Sequence, residues 1–216
     1  MFGGCFRAVA SSCTGPVYAR RVMPSTISGD STPAVLDAAA SCYLRLGVTK
    51  TTAADIARAA GMSRATLYRR FGSHEAIFMA VLERESAAMA AEAAAHLAGI
   101  EDPAERLVES MVFSISRICD RPVHAAIFTG ESAAWAADRA IRMDALRRIG
   151  ETAIRPLLGP AIDSGALPTT VVGDLVDWIL RILLSYAAVP GPADLQPADI
   201  RRQLRAWFLP AFDRFL

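Results

Sequence analysis

The chain has 216 residues, of which 53% are hydrophobic and 21% charged, with a formal net charge of +1. That is ample apolar material for a core, as one large domain or a small one beside a larger one, and too apolar for a disordered chain. No apolar run reaches the roughly 18 residues of a membrane span, and Arg181 interrupts the best one, so no membrane partner is expected. Residues 1–31 hold glycine, serine, proline and two cysteines without helical or strand periodicity. Cys5 and Cys13 lack zinc-ligand spacing, and the apolar run of Met1–Cys13 is broken by Arg7 and too short for a signal peptide. The segment reads as a disordered arm, with Arg20-Arg21 suited to a minor groove, or as an extension upstream of a true start at Met23.

Thr32-Pro33 opens the first helix, threonine as N-cap and proline in the first turn. Val35, Ala39, Tyr43 and Leu46 recur at helical spacing and Gly47 closes it. Thr52 caps a second helix, with Asp55 placed as its capping-box partner, and Ile56, Ala57 and Ala60 share one face. Gly61 permits the sharp turn that follows, because it takes the left-handed conformation without steric cost. Ser63 caps a third helix whose inward residues are Leu67 and Phe71. Its outer face carries Arg64, Ala65, Thr66, Tyr68, Arg69 and Arg70: small residues allow close approach to base-pair edges, and arginine reaches guanine or phosphate. A solvated arginine face on an ordinary helix pair would have the same composition. The order of Ala57, Gly61 and Leu67 favours two helices that cross closely.

Thr52, Ile56-Ala57, Ala60-Gly61-Met62-Ser63, Thr66-Leu67-Tyr68, Phe71, Ser73 and Glu75 together resemble the DNA-binding signature of TetR-family transcriptional regulators, over about residues 32–78. The resemblance implies an N-terminal three-helix helix-turn-helix domain at 32–76 and a C-terminal helical-bundle ligand and dimerisation domain at 77–216. It implies Arg64, Ala65, Thr66 and Tyr68 as groove readers, and Thr52, Arg69, Arg70 and His74 as phosphate contacts, with Lys50 secondary. It also implies an inverted-repeat duplex operator, a small-molecule effector, a homodimer and a cytoplasmic location. One departure stands out: His74 occupies a position where the family usually has lysine or arginine. Charge is distributed accordingly. Arg45, Lys50, Arg58, Arg64, Arg69 and Arg70 against Asp37, Asp55 and Glu75 give residues 32–76 a net +3, while residues 77–216 carry −4.

Gly72-Ser73 breaks the third helix and caps a long one over 74–98, with Ile77, Phe78, Val81, Leu82 and Met89 on a stripe that fades into alanine. This helix starts in the basic unit and ends in the body, so it is the mechanical link. Pro103 and Pro122 start further helices. Residues 131–157 read as one helix, Gly159-Pro160 and Gly165–Pro168 as breaks, and 171–189 and 198–215 as the last two helices. No strand alternation occurs, so the fold class is all-α. Trp178, Leu183, Tyr186, Leu204, Trp207 and Phe208 exceed what one amphipathic stripe requires and are expected at a two-fold interface.

An effector pocket is expected among the middle helices, lined by Met111, Ile115, Phe128, Trp135, Met143 and Trp178, with Ser114, His124 or Thr129 as polar anchors. Such walls suit a mostly apolar molecule. The sequence lacks GxSxG, GxGxxG, Walker and HExxH motifs, and His74, His96 and His124 have no metal or triad spacing. No enzyme, cofactor or metal is expected. The competing classes are a helical docking protein and a small-molecule-binding bundle, and salt-dependent duplex binding separates the first reading from both.

Overall fold

The computed structural model describes residues 32–165, 167–189 and 195–211. The N-terminal arm with Cys5, Cys13 and Arg20-Arg21 lies outside these residues, as does Phe212. All regular structure among the described residues is helical, as expected. None of these helices is long and apolar enough to cross a membrane.

The first three helices are α1 (Thr32–Leu46), α2 (Ala53–Ala59) and α3 (Arg64–Phe71). α1 buries Val35, Leu36, Ala39, Cys42 and Tyr43, whereas Leu46, expected on the same face, is exposed. Gly47 ends it at φ +81°, its amide donating to the Tyr43 carbonyl at 2.9 Å. α4 (His74–His96) runs 23 residues from a Ser73 cap. It buries Ile77, Phe78, Val81 and Leu82 against α1, and only Ser86 and Ala93 thereafter.

The body comprises α5 (Pro103–Asp120), α6 (Pro122–Phe128), α7 (Ala133–Ala140), α8 (Asp144–Asp163), α9 (Thr169–Ala188) and α10 (Pro197–Gln203). The single helix expected over 131–157 is in fact two. Amides of Ile141, Arg142 and Met143 donate back to Ala137, Arg139 and Ala140 and tighten the chain into a corner pinned by buried Met143, before Asp144 starts a new helix. The break expected at Gly159-Pro160 is absent, and α8 continues to Asp163. A proline inside a helix removes one hydrogen bond. Here the continuation brings Ile162 against the second core, and its burial offsets part of that loss. The last helix is interrupted as well: α10 opens into a wider π-helical turn at Leu204–Phe208, followed by a tight turn at Leu209–Ala211.

Two cores result. The first joins Val35, Tyr43, Ile56 and Leu67 to Phe78, Ile118, Ile127 and Phe128, and reaches Leu184 of α9. The N-terminal unit is therefore packed on the body through α1, α4 and α6. The second core holds Leu107, Met111, Leu158, Val176, Ile200 and Phe208. Ion pairs reinforce the seam between unit and body. Arg84 of α4 bonds Asp37 of α1 at 2.8 Å, and Arg121 bridges Glu85 at 3.2 Å and Glu92 at 2.5 Å. Arg139 bonds Glu75 at 2.8 Å while lying over the Trp135 ring, 4.1 Å from its centroid.

The residues expected at a two-fold interface divide. Leu204 and Phe208 are buried in the second core, and the Tyr186 hydroxyl donates to Gln203 Oε1 at 2.6 Å. Trp178 remains 41% exposed and Trp207 84% exposed.

Candidate nucleic-acid interface and cavity

A reciprocal cap and a second, simple cap set the helix pair. Thr52 Oγ1 accepts from the Asp55 amide at 3.2 Å, and Asp55 Oδ2 accepts from the Thr52 amide at 3.1 Å. The Thr52 hydroxyl also donates to Oδ2, at 2.5 Å. These bonds to Thr52 hold the Asp55 carboxyl below its ordinary range. Gly61 takes φ +66°, and the Met62 amide returns to the Ala57 carbonyl at 2.9 Å, which closes the turn. Ser63 Oγ then accepts from the Thr66 amide at 3.0 Å and starts α3. Inside the angle lie Ile56, Ala57 and Leu67, all fully buried.

The orientation of Leu67 turns the opposite face outward. Arg64, Ala65, Tyr68, Arg69 and Arg70 are exposed, with Thr66 half-buried beside its Ser63 partner. The side chains of Arg64 and Arg69 make no bond among the described residues, which leaves both guanidinium groups for an anionic partner. Arg70 Nη2 instead donates to Thr32 Oγ1 at 2.6 Å and ties the end of α3 to the start of α1.

Two of the expected phosphate contacts, Thr52 and His74, sit as follows. The Thr52 hydroxyl hydrogen is held by Asp55. His74 is half-buried, its Nε2 enclosed and its ring edge-on to Tyr43 at 6.5 Å between centroids. Burial lowers its pKa, so the imidazole is neutral at neutral pH. His74 is therefore built into the α1–α4 joint.

Behind this unit a cavity of about 610 Å³ opens between α4, α5, α8 and α9, closed at one end by α6. Of the nine residues expected to line it, Met111, Ser114, His124 and Phe128 do so. The other five lie elsewhere, each for a packing reason. Ile115 faces the second core. Thr129 is exposed, its hydroxyl donating to the Ala125 carbonyl at 2.7 Å. Trp135 packs on Phe78 at 4.8 Å, Met143 pins the α7–α8 corner, and Trp178 lies against Phe208 at 5.0 Å on the outer side of α9. The wall that the sequence reading missed is made of small residues: Ala87, Ala90, Ala91 and Ala94 of α4, facing Ala145 and Ala153 of α8. Its signal was the fading of the α4 stripe into alanine, which leaves volume that no side chain fills.

His124 is 1% exposed and lines this cavity with neither ring nitrogen hydrogen-bonded. Burial, aided by the nearby Arg121 charge, lowers its pKa to about 4. A histidine that stays neutral when folded but protonates near 6.5 when unfolded binds fewer protons in the native state. Its contribution to stability is therefore complete above about pH 6.5 and is lost as pH falls towards 4. Between pH 7 and 5 it should cost about 2 kcal/mol, read as the extra slope of wild type over His124→Leu in urea unfolding. Parallel slopes would show that His124 is not buried neutral.

Residues 35–81 match the family described as bacterial regulatory proteins, tetR family. The HTH-type transcriptional regulator Rv1255c of Mycobacterium tuberculosis is 30% identical over 176 residues, covering 82% of each chain. The fold is shared with the TetR-family repressor AlkX from Dietzia sp. (TM-score 0.59, 18% identity, 88% of this chain and 99% of that one). It is also shared with RolR, crystallised with resorcinol (TM-score 0.59, 18% identity, 80% and 91%). With its capped helix pair, its exposed arginine face and a relative that matches most of its length, the chain belongs to the TetR family and is a sequence-specific DNA-binding transcriptional regulator.

Proposed function

We propose that the protein is a cytoplasmic, homodimeric repressor, without enzymatic activity, that binds an inverted-repeat operator and releases it when a small, mostly apolar molecule enters the cavity. One observation carries this reading: α4 begins under the recognition helix and forms the cavity wall from Leu82 to Leu97. A molecule that separates α4 from α8 tilts the unit that holds α3. Two recognition helices must stand about 34–36 Å apart to enter successive major grooves, so a small tilt matters. The ligand weakens DNA binding only as far as it prefers the non-binding geometry. RolR, which shares the fold, holds resorcinol, and this supports a ligand site in the helical body. Residues 32–76 serve as the DNA-binding domain and 77–216 as the ligand and dimerisation domain.

On the DNA side, Arg64, Ala65, Thr66 and Tyr68 read the groove, while Lys50, Arg69 and Arg70 hold phosphates and the α4 amino terminus adds backbone amides. Selection from a random duplex library should enrich an inverted repeat. Arg64→Ala should then relax discrimination at one base pair per half-site by about 1–3 kcal/mol, while Arg69→Ala weakens all sequences alike and flattens the salt dependence. A library that enriches nothing would refute the reading.

A further inference from the structure

We propose that the cavity takes a linear, mainly hydrocarbon molecule with one uncharged oxygen function, a hydroxyl or carbonyl, hydrogen-bonded to His124 at the end nearest the DNA-binding unit. This rests on the reading of the cavity as the effector site and specifies what that site selects.

Shape comes first. α5 lines the cavity from Arg106 to Ile118, twelve residues apart and therefore about 18 Å along the helix axis. α4 lines it over a similar length, from Leu82 to Leu97. The space is a trough along the helices, with apolar walls of leucine, isoleucine, methionine and alanine. An extended chain fills such a trough, and a compact ring system fills only part of it.

The polar groups then decide the chemistry. Ser110, Ser114 and Thr152 reach the lining, but their hydroxyls donate to the carbonyls of Leu107, Ser110 and Arg148 at 2.7, 2.8 and 2.8 Å. Those hydrogens are already engaged by the helices. His124 differs: it is fully buried, both its nitrogens lack a partner, and Phe128 stacks beside it. A neutral imidazole offers one donor and one acceptor. A hydroxyl can pair with either nitrogen, accepting from the N–H or donating to the bare nitrogen, and a carbonyl pairs with the N–H alone. An unpaired buried polar group is costly, which makes an apolar end group a poor match there. A carboxylate is no better. The guanidinium whose charge reaches His124, that of Arg121, is already bound to Glu85 and Glu92, so it is not left to balance an anion beside the imidazole. Arg106 and Arg148 line other parts of the trough, and an anionic group would go to one of them instead.

The position also gives the contact a consequence. α6, which carries His124, packs directly on α1. A molecule anchored there bears on the joint between the body and the DNA-binding unit.

The test uses the full chain and three probes of equal, medium chain length: a straight alkanol, the alkane and the alkanoate. Calorimetry should show the alkanol binding most tightly. His124→Leu should weaken the alkanol about tenfold and leave the alkane unweakened, while His124→Gln, which keeps a donor and an acceptor, should retain most of the alkanol preference. An alkanoate tighter than the alkanol, an alkane as tight as the alkanol, or an alkanol affinity indifferent to His124→Leu would each overturn the assignment. So would failure of all three probes. If aromatic compounds then bind and displace selected operator DNA, the effector reading survives without this ligand class. If the alkanol binds as described but leaves operator affinity unchanged, the ligand chemistry stands and the effector reading falls.

Discussion

In Leu67→Ala, the amides of α3 should exchange with solvent as though the helix were detached, and specific duplex binding should disappear. The physical reason is the small number of anchors. α3 has eight residues, and Leu67 is its one buried residue. An isolated helix of that length is far below what is stable in water, so α3 exists because Leu67 fixes it against Ile56 and Ala57. Leucine-to-alanine changes at fully buried positions cost about 2–5 kcal/mol. Here the loss falls on an element with little stability of its own, so it should appear as local opening before global unfolding. Far-UV circular dichroism should change little while α3 protection collapses. Leu67→Met, which conserves volume, should cost less than about 1.5 kcal/mol and keep operator binding. Binding retained in the alanine variant would mean that DNA itself, and not the core, orders the helix.

That unit was legible in the sequence because its determinants are local. The Thr52–Asp55 box, Gly61 at positive φ and the Ser63 cap each act within four residues, and the structure forms all three. The outward face followed from helical period once Leu67 was assigned inward. The body was less legible, for two reasons. Its corner at 141–143 contains neither glycine nor proline and is fixed by the burial of Met143, a tertiary event. The cavity is likewise a tertiary product, defined by what the side chains leave empty. Large apolar residues drew attention to Trp135, Met143 and Trp178, yet bulk is what lets a residue fill space in the core or cover a neighbour. The alanines of α4 leave space, and so they form the wall. His124 was identifiable because an isolated histidine within an apolar helix has to be either paired or exceptional. It has no partner, which makes it exceptional.

The seam between unit and body gives the proposed signal along α4 a path. Tyr43, Phe78 and Trp135 form a row of ring contacts at 6.4 and 4.8 Å, and Arg139 caps the row while bonding Glu75. The row joins α1, α4 and α7, so rotation of α4 in the body cannot leave the DNA-binding unit behind. Close packing makes such a seam shift between discrete arrangements and not bend gradually.

Trp207→Glu should convert the protein to a monomer at concentrations where wild type sediments as a dimer, and operator affinity should fall with it. Trp207 stands 84% exposed on the π-helical turn, and Trp178 of α9, whose ring packs on the adjacent Phe208, is 41% exposed. Two tryptophans left in water where α9 meets this turn are what an interface uncovers when its partner is taken away. The turn that carries Trp207 is held from behind, because Arg201 pairs with Glu109 and Arg205 bonds Glu105 at 2.5 Å. The tryptophan is therefore presented on a fixed support, with little ordering cost on association. Buried tryptophans at the centre of interfaces commonly contribute 2 kcal/mol or more, and a carboxylate there also has to be desolvated twice across a two-fold axis. Dimerisation should weaken by roughly thirtyfold or more. Operator affinity should drop further, because two half-sites bound through one dimer gain roughly 10²–10⁴ in effective affinity over separate monomers. The variant monomer should unfold at the midpoint of dissociated wild type, since Trp207 adds almost nothing to the core. Leu204 and Phe208 behave differently: their truncation should destabilise the monomer, because both are buried in the second core. Sedimentation showing an unaltered dimer for Trp207→Glu would place the interface on another face, and a wild type monomeric at every concentration would remove the dimer altogether.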